Sequence, residues 1–396
     1  MHTYHLMLSF GSALLFGASQ ASFACNQTLS PGANLASAIS SAPANSTICL
    51  NTGIYGSVNL YNINRSAYVT VKSVSGKGAS IAPQMGNTKF VRFESLTISS
   101  DVLQNSCSAN IQWVNNDFTG RGLTLSNSGC SNLNTLIDGN NFSNFTVGGG
   151  YEGRLSLVYG SGIIVTNNFF GNGGASDGIQ LLGNVSNVNI GPGNTFSGIK
   201  ESLCGAVHCD AIQLYGAGTN ISITGNYFSD GDTFIMAPDG SSGVTVTNNV
   251  FNGAGYTYID KVQFGTAESP IFEHNTLINV RASFDSKVGE AASSNVVGRN
   301  NILISGSSFK TANGSGCSSC TFTRNLFSST SYANGTNNLI GNPTFIGGSS
   351  PTNWAGYQLM SNSLGYKAAT DGNDMGPIFS TTAITPLATP SNLRFQ

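Results

Sequence analysis

The stretch Ile221-Ser222-Ile223-Thr224-Gly225-Asn226-Tyr227-Phe228 decides the fold. It returns 23 residues later as Val244-Thr245-Val246-Thr247-Asn248-Asn249-Val250-Phe251. Each copy first alternates apolar and polar residues, as a β-strand with one buried face does. Each copy then ends with Asn, a variable residue and Phe, so a strand is followed by a turn and a second apolar position.

The same ending recurs along much of the chain. Its apolar residue falls at positions 118, 142, 170, 196, 228, 251, 277, 302 and 327, with gaps of 24, 28, 26, 32, 23, 26, 25 and 25 residues. The accompanying asparagines are Asn116, Asn141, Asn168, Asn194, Asn226, Asn249, Asn275, Asn300 and Asn325. A period of this length indicates a solenoid whose coils bury their apolar faces by stacking. We expect the asparagines to form an internal ladder at a turn and the phenylalanines to stack in the core.

This repeat, over about residues 50 to 345, resembles the pectin-lyase-like superfamily of secreted proteins. The resemblance implies an all-β fold, a single-stranded right-handed parallel β-helix. It also implies polysaccharide chemistry, which is common among members of that superfamily. A leucine-rich repeat is the structural alternative, but the sequence lacks the Leu-x-x-Leu-x-Leu frame. We predict a signal peptide over 1–24, the β-helix with its N-terminal cap over 25–345, and a C-terminal tail or cap over 346–396.

The N-terminus and the cysteines predict export. An apolar run over 6–16 is followed by small residues up to Ala24, which suits a cleaved secretion signal. Eight cysteines remain after cleavage, and an even number in an exported chain indicates disulfides. Sequence order favours the pairs Cys25–Cys49, Cys107–Cys130, Cys204–Cys209 and Cys317–Cys320. Lipidation of Cys25 and a zinc site formed by the last four cysteines are the weaker alternatives.

Composition narrows the class of partner. Only 9% of the residues are charged and the formal net charge is −2, so no basic stripe for nucleic acid is expected. The hydrophobic content of 40% argues against disorder. No apolar run is long enough to span a bilayer. We therefore expect a secreted monomer, extracellular or periplasmic, whose partner is a polysaccharide.

A second ladder suggests a site. Asp177, Asp210, Asp232 and Asp260 each begin a strand-like run at an equivalent place in four coils. Stacked strands lie about 4.8 Å apart, so these carboxylates are expected to form a row. Their repulsion must be offset by a cation, raised pKa values or basic neighbours. We predict that Asp177, Asp210 and Asp232 hold Ca²⁺. The alternative is that each Asp only caps backbone N–H groups.

The parity of the strands limits where the row can lie. If Ile179 and Leu181 face inward, Asp177 shares their parity, so an accessible carboxylate requires a bend at the start of the strand. Gln180 and Gln213 then face outward, where they bind substrate or stack as an amide ladder.

Further residues complete the predicted site. The 32-residue gap inserts His208 just before Asp210, and Lys261 follows Asp260. Arg154 aligns with the Asp position of the preceding coil, and Tyr215 ends the run that begins at Asp210. We predict His208, Asp210, Lys261 and Asp177 as catalytic residues, and Arg154, Gln180, Gln213 and Tyr215 as substrate-binding residues.

These residues favour a polysaccharide lyase that acts on a uronate-containing polymer by β-elimination. That reaction needs a neutralised uronate carboxylate, a base such as Lys261 or His208, and an acid such as Arg154 or Tyr215, with Ca²⁺ able to bridge to the uronate. A glycoside hydrolase is an alternative, because carboxylates two coils apart suit inversion. A non-catalytic carbohydrate-binding or adhesin surface is another. The Trp-Ile-Asp-His pattern of pectate lyases and the Gly-His-Gly pattern of polygalacturonases are not found in the sequence.

Overall fold

The computed structural model of the chain describes residues 24–379, apart from 121, 131, 144–151, 206–207, 217, 286–292, 311–316 and 318 and the side chain of Asn184. The chain forms a parallel β-solenoid of about 11 turns, as the repeat predicts. Almost all of the predicted signal peptide, residues 1–23, lies outside the described residues. So do residues 380–396 of the predicted C-terminal segment.

Each full coil contributes a strand to three parallel sheets, which we number in chain order. Sheet 1 contains Val102–Asn105, Leu123–Ser126, the first parts of Gly153–Thr166 and Asp177–Ile190, Asp210–Tyr215, Thr233–Ala237, Val262–Phe264, Arg281–Ser283 and Ser308–Lys310. Sheet 2 contains Lys89–Glu94, Ala109–Val114, Thr135–Asp138, the second parts of the same two long strands, Gly218–Thr224, Ser241–Ser242, Thr245–Thr247, Ile271–Glu273, Val297–Arg299 and Thr321–Thr323. Sheet 3 contains Thr97–Ile98, Asp117–Phe118, Asn141–Ser143, Phe169–Gly171, Thr195–Ser197, Tyr227–Ser229, Val250–Asn252, Thr276–Ile278, Ile302–Ile304, Leu326–Phe327 and Leu339–Ile340.

The N-terminal coils are closed by a short helix. The α-helix Leu35–Ser41 begins at Asn34, whose side chain accepts a hydrogen bond from the Ser37 N–H, and it buries Leu35 and Ile39. The first strands of the solenoid are Gln27–Leu29, Thr47–Leu50, Gly53–Tyr61, Asn64–Ser73 and Ala79–Gly86. The described residues also form three short 3₁₀-helices, Glu201–Leu203, Thr330–Tyr332 and Trp354–Tyr357. Within the described part of the chain, none of the helices has the length and apolarity that crossing a membrane requires.

The predicted asparagine ladder lies at the corner between sheets 2 and 3. The Oδ1 atom of Asn249 accepts from the backbone N–H and the Nδ2 of Asn226, each at 3.0 Å, and Asn249 Nδ2 donates to Ile223 O at 2.8 Å. The ladder residues, all nearly inaccessible to solvent, are Asn116, Asn140, Asn168, Asn194, Asn226, Asn249, Asn275, Asn301 and Asn325. Because both amide protons and the amide oxygen are bonded, these buried polar groups carry little desolvation penalty.

Two rungs of the ladder differ from the sequence prediction by one residue. Asn140 rather than Asn141 enters the ladder, because Asn141 already pairs with Asp117 within sheet 3. Asn301 rather than Asn300 follows Asn275, and the residue in register with Leu277 is therefore Leu303 rather than Ile302. Where two asparagines stand side by side, the spacing alone does not select the inward one.

The predicted aromatic stack is confirmed inside sheet 3. Phe118, Phe142, Phe170, Phe196 and Phe228 stack with ring centroids 4.3 to 5.0 Å apart, and Phe251 continues the column at 4.7 Å. All these rings are buried. The column lines the core beside the asparagine ladder, so an amide and a ring from each coil stack on their counterparts in the next.

The C-terminal segment folds back along the outer face of sheet 3. Tyr357, Leu359 and Met375 form a second apolar cluster with Tyr227 and Val250, among others. His274 anchors this segment: its Nδ1 lies 3.1 Å from Gly376 O, and its Nε2 lies 3.2 Å from Asp371 Oδ2. His274 has a left-handed φ of 53°, consistent with the turn position that its place before Asn275 predicts.

The four cysteine pairs expected from sequence order are all present as disulfides. Each joins cysteines whose Cα atoms lie 5.4 to 6.0 Å apart. Cys25 is bonded to Cys49, so its thiol is not available for a lipid. The zinc alternative is wrong for the same reason, because its four cysteines are oxidised in pairs.

We predict that Asn249→Ala destabilises the protein by about 3 kcal/mol or more. The change leaves the Asn226 backbone N–H, one Asn226 Nδ2 proton and the Ile223 carbonyl without their partners, and each buried unsatisfied group costs about 1–3 kcal/mol. The free energy of unfolding from a urea titration followed by circular dichroism measures the effect. Asn189→Ala, on the exposed face of the neighbouring strand, is the matched control and should change stability by less than about 0.5 kcal/mol. Equal losses in the two variants would show that the ladder is not a special constraint.

Candidate functional site

The first two carboxylates of the predicted acidic row lie inside the solenoid. Asp177 opens the strand Asp177–Ile190 and Asp210 opens Asp210–Tyr215, and neither residue is accessible to solvent. They share the inward parity of Ile179 and Ile212, because the pleat continues to the first residue of each strand. The bend that would have turned these carboxylates outward is not formed. The predicted outward row of carboxylates is therefore corrected to a buried pair.

The buried pair is only partly satisfied by hydrogen bonds. Asp177 Oδ1 accepts from the Asp210 backbone N–H at 2.8 Å. Among the described residues, Asp177 Oδ2 and both carboxylate oxygens of Asp210 lie without a well-formed hydrogen bond. Burial raises the pKa of Asp177 to about 7, and the nearby carboxylates of Glu152 and Glu201 act in the same direction. Burial, followed by the charge of Asp177, raises the pKa of Asp210 to about 8. The pair is thus poised to hold protons near neutral pH.

The two basic residues predicted for the site are also covered. The Arg154 guanidinium donates to Phe142 O at 3.1 Å and to Ser176 Oγ at 2.8 Å, and also bonds Gly171 O and Gly173 O. Burial lowers the pKa of Arg154 to about 10, while Asp177 opposes that change. Arg154 therefore fastens a turn in this structure and does not reach the surface where a substrate would lie.

Lys261 is sealed beneath the segment that precedes it. Its Nζ donates to Gly231 O at 2.7 Å and to Asp232 O at 3.1 Å, and lies 4.1 Å from the centre of the Tyr256 ring. Burial lowers the pKa of Lys261 to about 8, although the charge of Asp232 opposes the shift. The residue is fully buried, so its amine is enclosed rather than presented to a polymer.

The predicted calcium ligands do not converge. Thr233, not Asp232, pairs with Asp210, so Asp232 is displaced by one residue from the column. Asp232 Oδ2 instead accepts from the Glu201 N–H at 3.0 Å. Asp260 lies outside the strands and bonds the Arg281 guanidinium. The described residues contain no group of three or more acidic, His or Cys side chains that could hold a metal. We therefore assign no chemical step to Ca²⁺.

The predicted sugar-binding glutamines form an amide ladder under a loop. Gln180 Nε2 donates to Gln213 Oε1 at 2.8 Å, and Gln180 Oε1 accepts from the Glu152 N–H at 3.1 Å. Both glutamines are outward by register but buried, because neighbouring segments cover this part of sheet 1. The stacked-amide alternative describes them better than direct substrate binding. Tyr215, at the end of the same strand, is exposed.

The accessible polar part of sheet 1 lies farther along the solenoid. The register places Gln263, Ser283 and Lys310 in one outward column across adjacent coils. Arg281 lies beside this column on the same strand as Ser283, and Tyr258 precedes it by one coil. We call Tyr258, Gln263, Arg281, Ser283 and Lys310 the sheet 1 strip. It combines two cations with hydroxyl and amide groups on one face.

Tyr258 is the exposed phenol of the sheet 1 strip. Its hydroxyl accepts from Gln263 Nε2 at 3.1 Å. Burial of part of the ring raises the pKa of Tyr258, Asp260 raises it further, and Arg281 lowers it. The loop that carries Glu201 lies against the same segment as Tyr258: Lys200 Nζ lies 2.9 Å from Asp230 Oδ1, and the Tyr256 hydroxyl donates to that oxygen at 2.7 Å.

That loop brings His208 to the same region. His208 Nδ1 lies 3.3 Å from Glu201 Oε1, and the His208 side chain is 67% exposed. The disulfide Cys204–Cys209 ties the loop directly beside His208. Of the four residues predicted as catalytic, His208 is therefore the one that the fold leaves accessible.

Sequence reasoning missed Tyr258, Arg281 and Lys310. Arg281-Ala282-Ser283 aligns with Lys261-Val262-Gln263 in the structure, and this in-register repetition is the signal that could have revealed Arg281. The pattern was hidden because the connection between these coils is short and carries no Asp at the expected place.

Two surface depressions lie away from the sheet 1 strip. One, of about 400 Å³, is lined by residues that include Asn127, Tyr159 and Ser186. The other, of about 410 Å³, is lined by residues that include Asn220 and Thr245. Both are open to solvent and lined mainly by neutral polar groups, so they offer no cation for an acidic sugar.

The comparisons with known proteins agree with the fold. No protein-family profile and no curated protein sequence matches the chain. A variant of the PL6 family alginate lyase AlyGC matches with a TM-score of 0.55 and 14% identity, over 92% of this chain and 60% of that one. A mannuronic acid-specific family 6 lyase from human gut microbiota has a TM-score of 0.41 and 16% identity, over 79% and 82% of the two chains. The adhesin PfbA of Streptococcus pneumoniae has a TM-score of 0.47 and 12% identity, over 77% and 93%.

The TM-score of 0.55 with the AlyGC variant shows a shared fold. The chain spans about 60% of the length of AlyGC. At 14% identity, the likeness to AlyGC shows the fold alone and leaves the chemistry to be argued from the side chains.

We predict that the buried carboxyl pair makes the protein less stable as the pH rises. The folded pKa values of Asp177 and Asp210, about 7 and about 8, lie above the unfolded value of about 3.9. The stability that the neutral carboxyls contribute is complete below about pH 4, declines as the pH rises and is lost once both have ionised, above about pH 8. Asp210→Asn should therefore gain stability over the wild type between pH 5 and 9, on the order of a few kcal/mol.

Thermal unfolding at a series of pH values tests this expectation. Asp239→Asn, which changes an exposed carboxylate, is the control and should follow the wild-type curve. If the midpoints of wild type and Asp210→Asn run parallel across the range, the pair does not titrate as described.

Proposed function

We propose that this protein is a secreted polysaccharide lyase that cleaves a uronate-containing polymer by β-elimination on the sheet 1 strip. The observation that carries the proposal is that the half-exposed Arg281 and the exposed Tyr258 are joined through Asp260 and Gln263, while the loop of the exposed His208 contacts the segment that carries Tyr258. β-Elimination needs a cation for the uronate carboxylate and groups that accept and donate a proton, and this arrangement supplies all three. The fold shared with a PL6 alginate lyase supports the same class of reaction.

The roles follow from charge and accessibility. Arg281 pairs with the uronate carboxylate and so makes the adjacent C5 proton easier to remove. His208, held by Glu201, accepts that proton. The electron pair forms the C4–C5 double bond as the C4–O bond breaks, and Tyr258 gives its phenolic proton to the leaving oxygen. The pKa of Tyr258 is raised, chiefly by burial of part of the ring, so the phenol carries its proton at neutral pH.

Secretion is supported by the oxidation state of the chain. Four disulfides join all eight cysteines, and such bonds persist in oxidising compartments. Together with the export signal predicted over 1–24, they support a location outside the cytoplasm, where polysaccharide substrates are found.

The glycoside hydrolase alternative has less support. Inversion needs an accessible acid and base carboxylate about 6.5–9.5 Å apart. Asp177 and Asp210 are enclosed, and Arg281 together with Ser283 holds the pKa of Asp260 below its usual range. An adhesin is the second candidate, because both described depressions lie away from the sheet 1 strip.

We expect the purified protein to release unsaturated uronate products, detected by their absorbance, from at least one member of a polyuronate panel. Arg281→Ala should lower kcat/KM by about 10²–10³-fold, because an oriented cation at the developing charge is lost. His208→Gln and Tyr258→Phe should each lower kcat by about 10²–10⁴-fold, the usual contribution of general acid–base groups. Adding a chelator tests separately whether a metal takes part.

Arg299→Ala is the control for these variants. Arg299 is an exposed arginine that pairs with Glu273 on sheet 2, a different face of the solenoid, so its loss should leave the rate unchanged. Reducing ends without unsaturated products would indicate hydrolysis. Binding of a polymer without any product would indicate the adhesin. Full activity in Arg281→Ala would remove the basis of the mechanism.

A further inference from the structure

Asp260 holds one edge of the Arg281 guanidinium. Arg281 Nε bonds Asp260 Oδ1 and Arg281 Nη2 bonds Asp260 Oδ2, which is a bidentate pair between adjacent coils. Ser283 Oγ adds a bond to Asp260 Oδ1 at 3.1 Å. Such a fork fixes both the position and the plane of a guanidinium.

The backbone around Asp260 is itself held in place. Asp260 O accepts from Gln263 Nε2 at 2.9 Å, and the Arg281 backbone N–H donates to Ile259 O at 2.6 Å. The two partners are thus joined through backbone and side chain, and the pair is part of the coil stack rather than a loose surface contact. A side chain with this support loses little further freedom when it binds a ligand.

The other edge of the guanidinium is not used by Asp260. A guanidinium has five N–H donors, and the Nε–Nη2 edge uses two of them on Asp260. Arg281 Nη1 makes no hydrogen bond within the described part of the chain. The Nη1–Nη2 edge has the spacing of a second carboxylate, and the arginine side chain is 31% exposed. One arginine can therefore bridge an internal carboxylate and an external one.

We propose that Asp260 is a positioning residue, which sets the Arg281 guanidinium so that its outer edge receives the uronate carboxylate of the substrate. This inference rests on the proposed function of the same site. Asp260 does not touch the reacting atoms in this scheme. It acts by holding the cation in one orientation.

The test is a double-mutant cycle of Asp260→Asn and Arg281→Lys, with kcat and KM for the polyuronate that the wild type cleaves best. Asparagine keeps the shape but not the charged fork, so we expect kcat/KM to fall about 10-fold, mostly through KM. Lysine cannot form the bidentate pair. In the Arg281→Lys background, Asp260→Asn should therefore cause less than about a 2-fold further loss.

Binding without turnover gives an independent readout. Calorimetry with saturated tetrasaccharides of guluronate, mannuronate and galacturonate should show weaker binding of the preferred sugar to Asp260→Asn, by a factor similar to the rise in KM. Asp117→Asn is the matched control, because it breaks the half-exposed pair with Lys77 elsewhere on the solenoid and should leave both measurements unchanged.

The outcomes separate this inference from the proposed function. If activity depends on Arg281 while Asp260→Asn behaves as wild type, the positioning role is wrong and the lyase stands. If the two losses multiply in the double variant, Asp260 acts by another route and the inference also fails. If the wild type neither binds nor cleaves any polyuronate, both proposals fall together.

Discussion

The whole molecule depends on the hydrogen bonds of the buried asparagine ladder. Each ladder amide receives two donors from one neighbouring coil and gives one proton to a neighbouring ladder residue and one to a backbone carbonyl. A slip of one residue would bury these groups without partners, at a cost of about 1–3 kcal/mol each. The ladder therefore enforces a single vertical register. That register in turn brings Gln263, Ser283 and Lys310, which are distant in sequence, into one column.

The asparagine ladder and the buried aspartates show why amides and carboxylates behave differently in the same interior. An amide brings its own donors, so a column of asparagines satisfies itself. A carboxylate brings only acceptors when it is ionised, and Asp177 and Asp210 find one backbone N–H between them in well-formed bonds. An amide always carries its donor protons, whereas a buried carboxylate must bind a proton from solvent to become neutral. Burial therefore raises the pKa values of Asp177 and Asp210.

How far the sequence predicted this structure depends on which corner of the coil is considered. Two residues separate Thr224 from Tyr227, and two separate Thr247 from Val250, so the Asn-x-Phe spacing between sheets 2 and 3 is regular and could be recognised. The prediction of the site was wrong at the opposite corner, between sheets 3 and 1. There Asp232 is shifted by one residue relative to Asp210, and no period reports such a shift. The parity of Asp177 in its strand indicates a buried side chain. The prediction of an accessible carboxylate required a bend at the start of the strand, and that bend is not formed.

The long connections lie at the two corners that lack the ladder, and one of them carries residues of the proposed site. The connections at the ladder corner stay short: most contain two residues, and the one from Ile190 to Thr195 contains four. The corner between sheets 3 and 1 carries no such ladder, and its connections vary widely, from Ile278 to Arg281 up to Ser197 to Asp210. The longest of these holds His208. The segment from Asn252 to Val262 both covers Lys261 with Tyr256 and presents Tyr258. The same segment thus covers Lys261 and exposes Tyr258. The lengths of such connections decide which side chains are accessible, while the ladder fixes the vertical register of the coils.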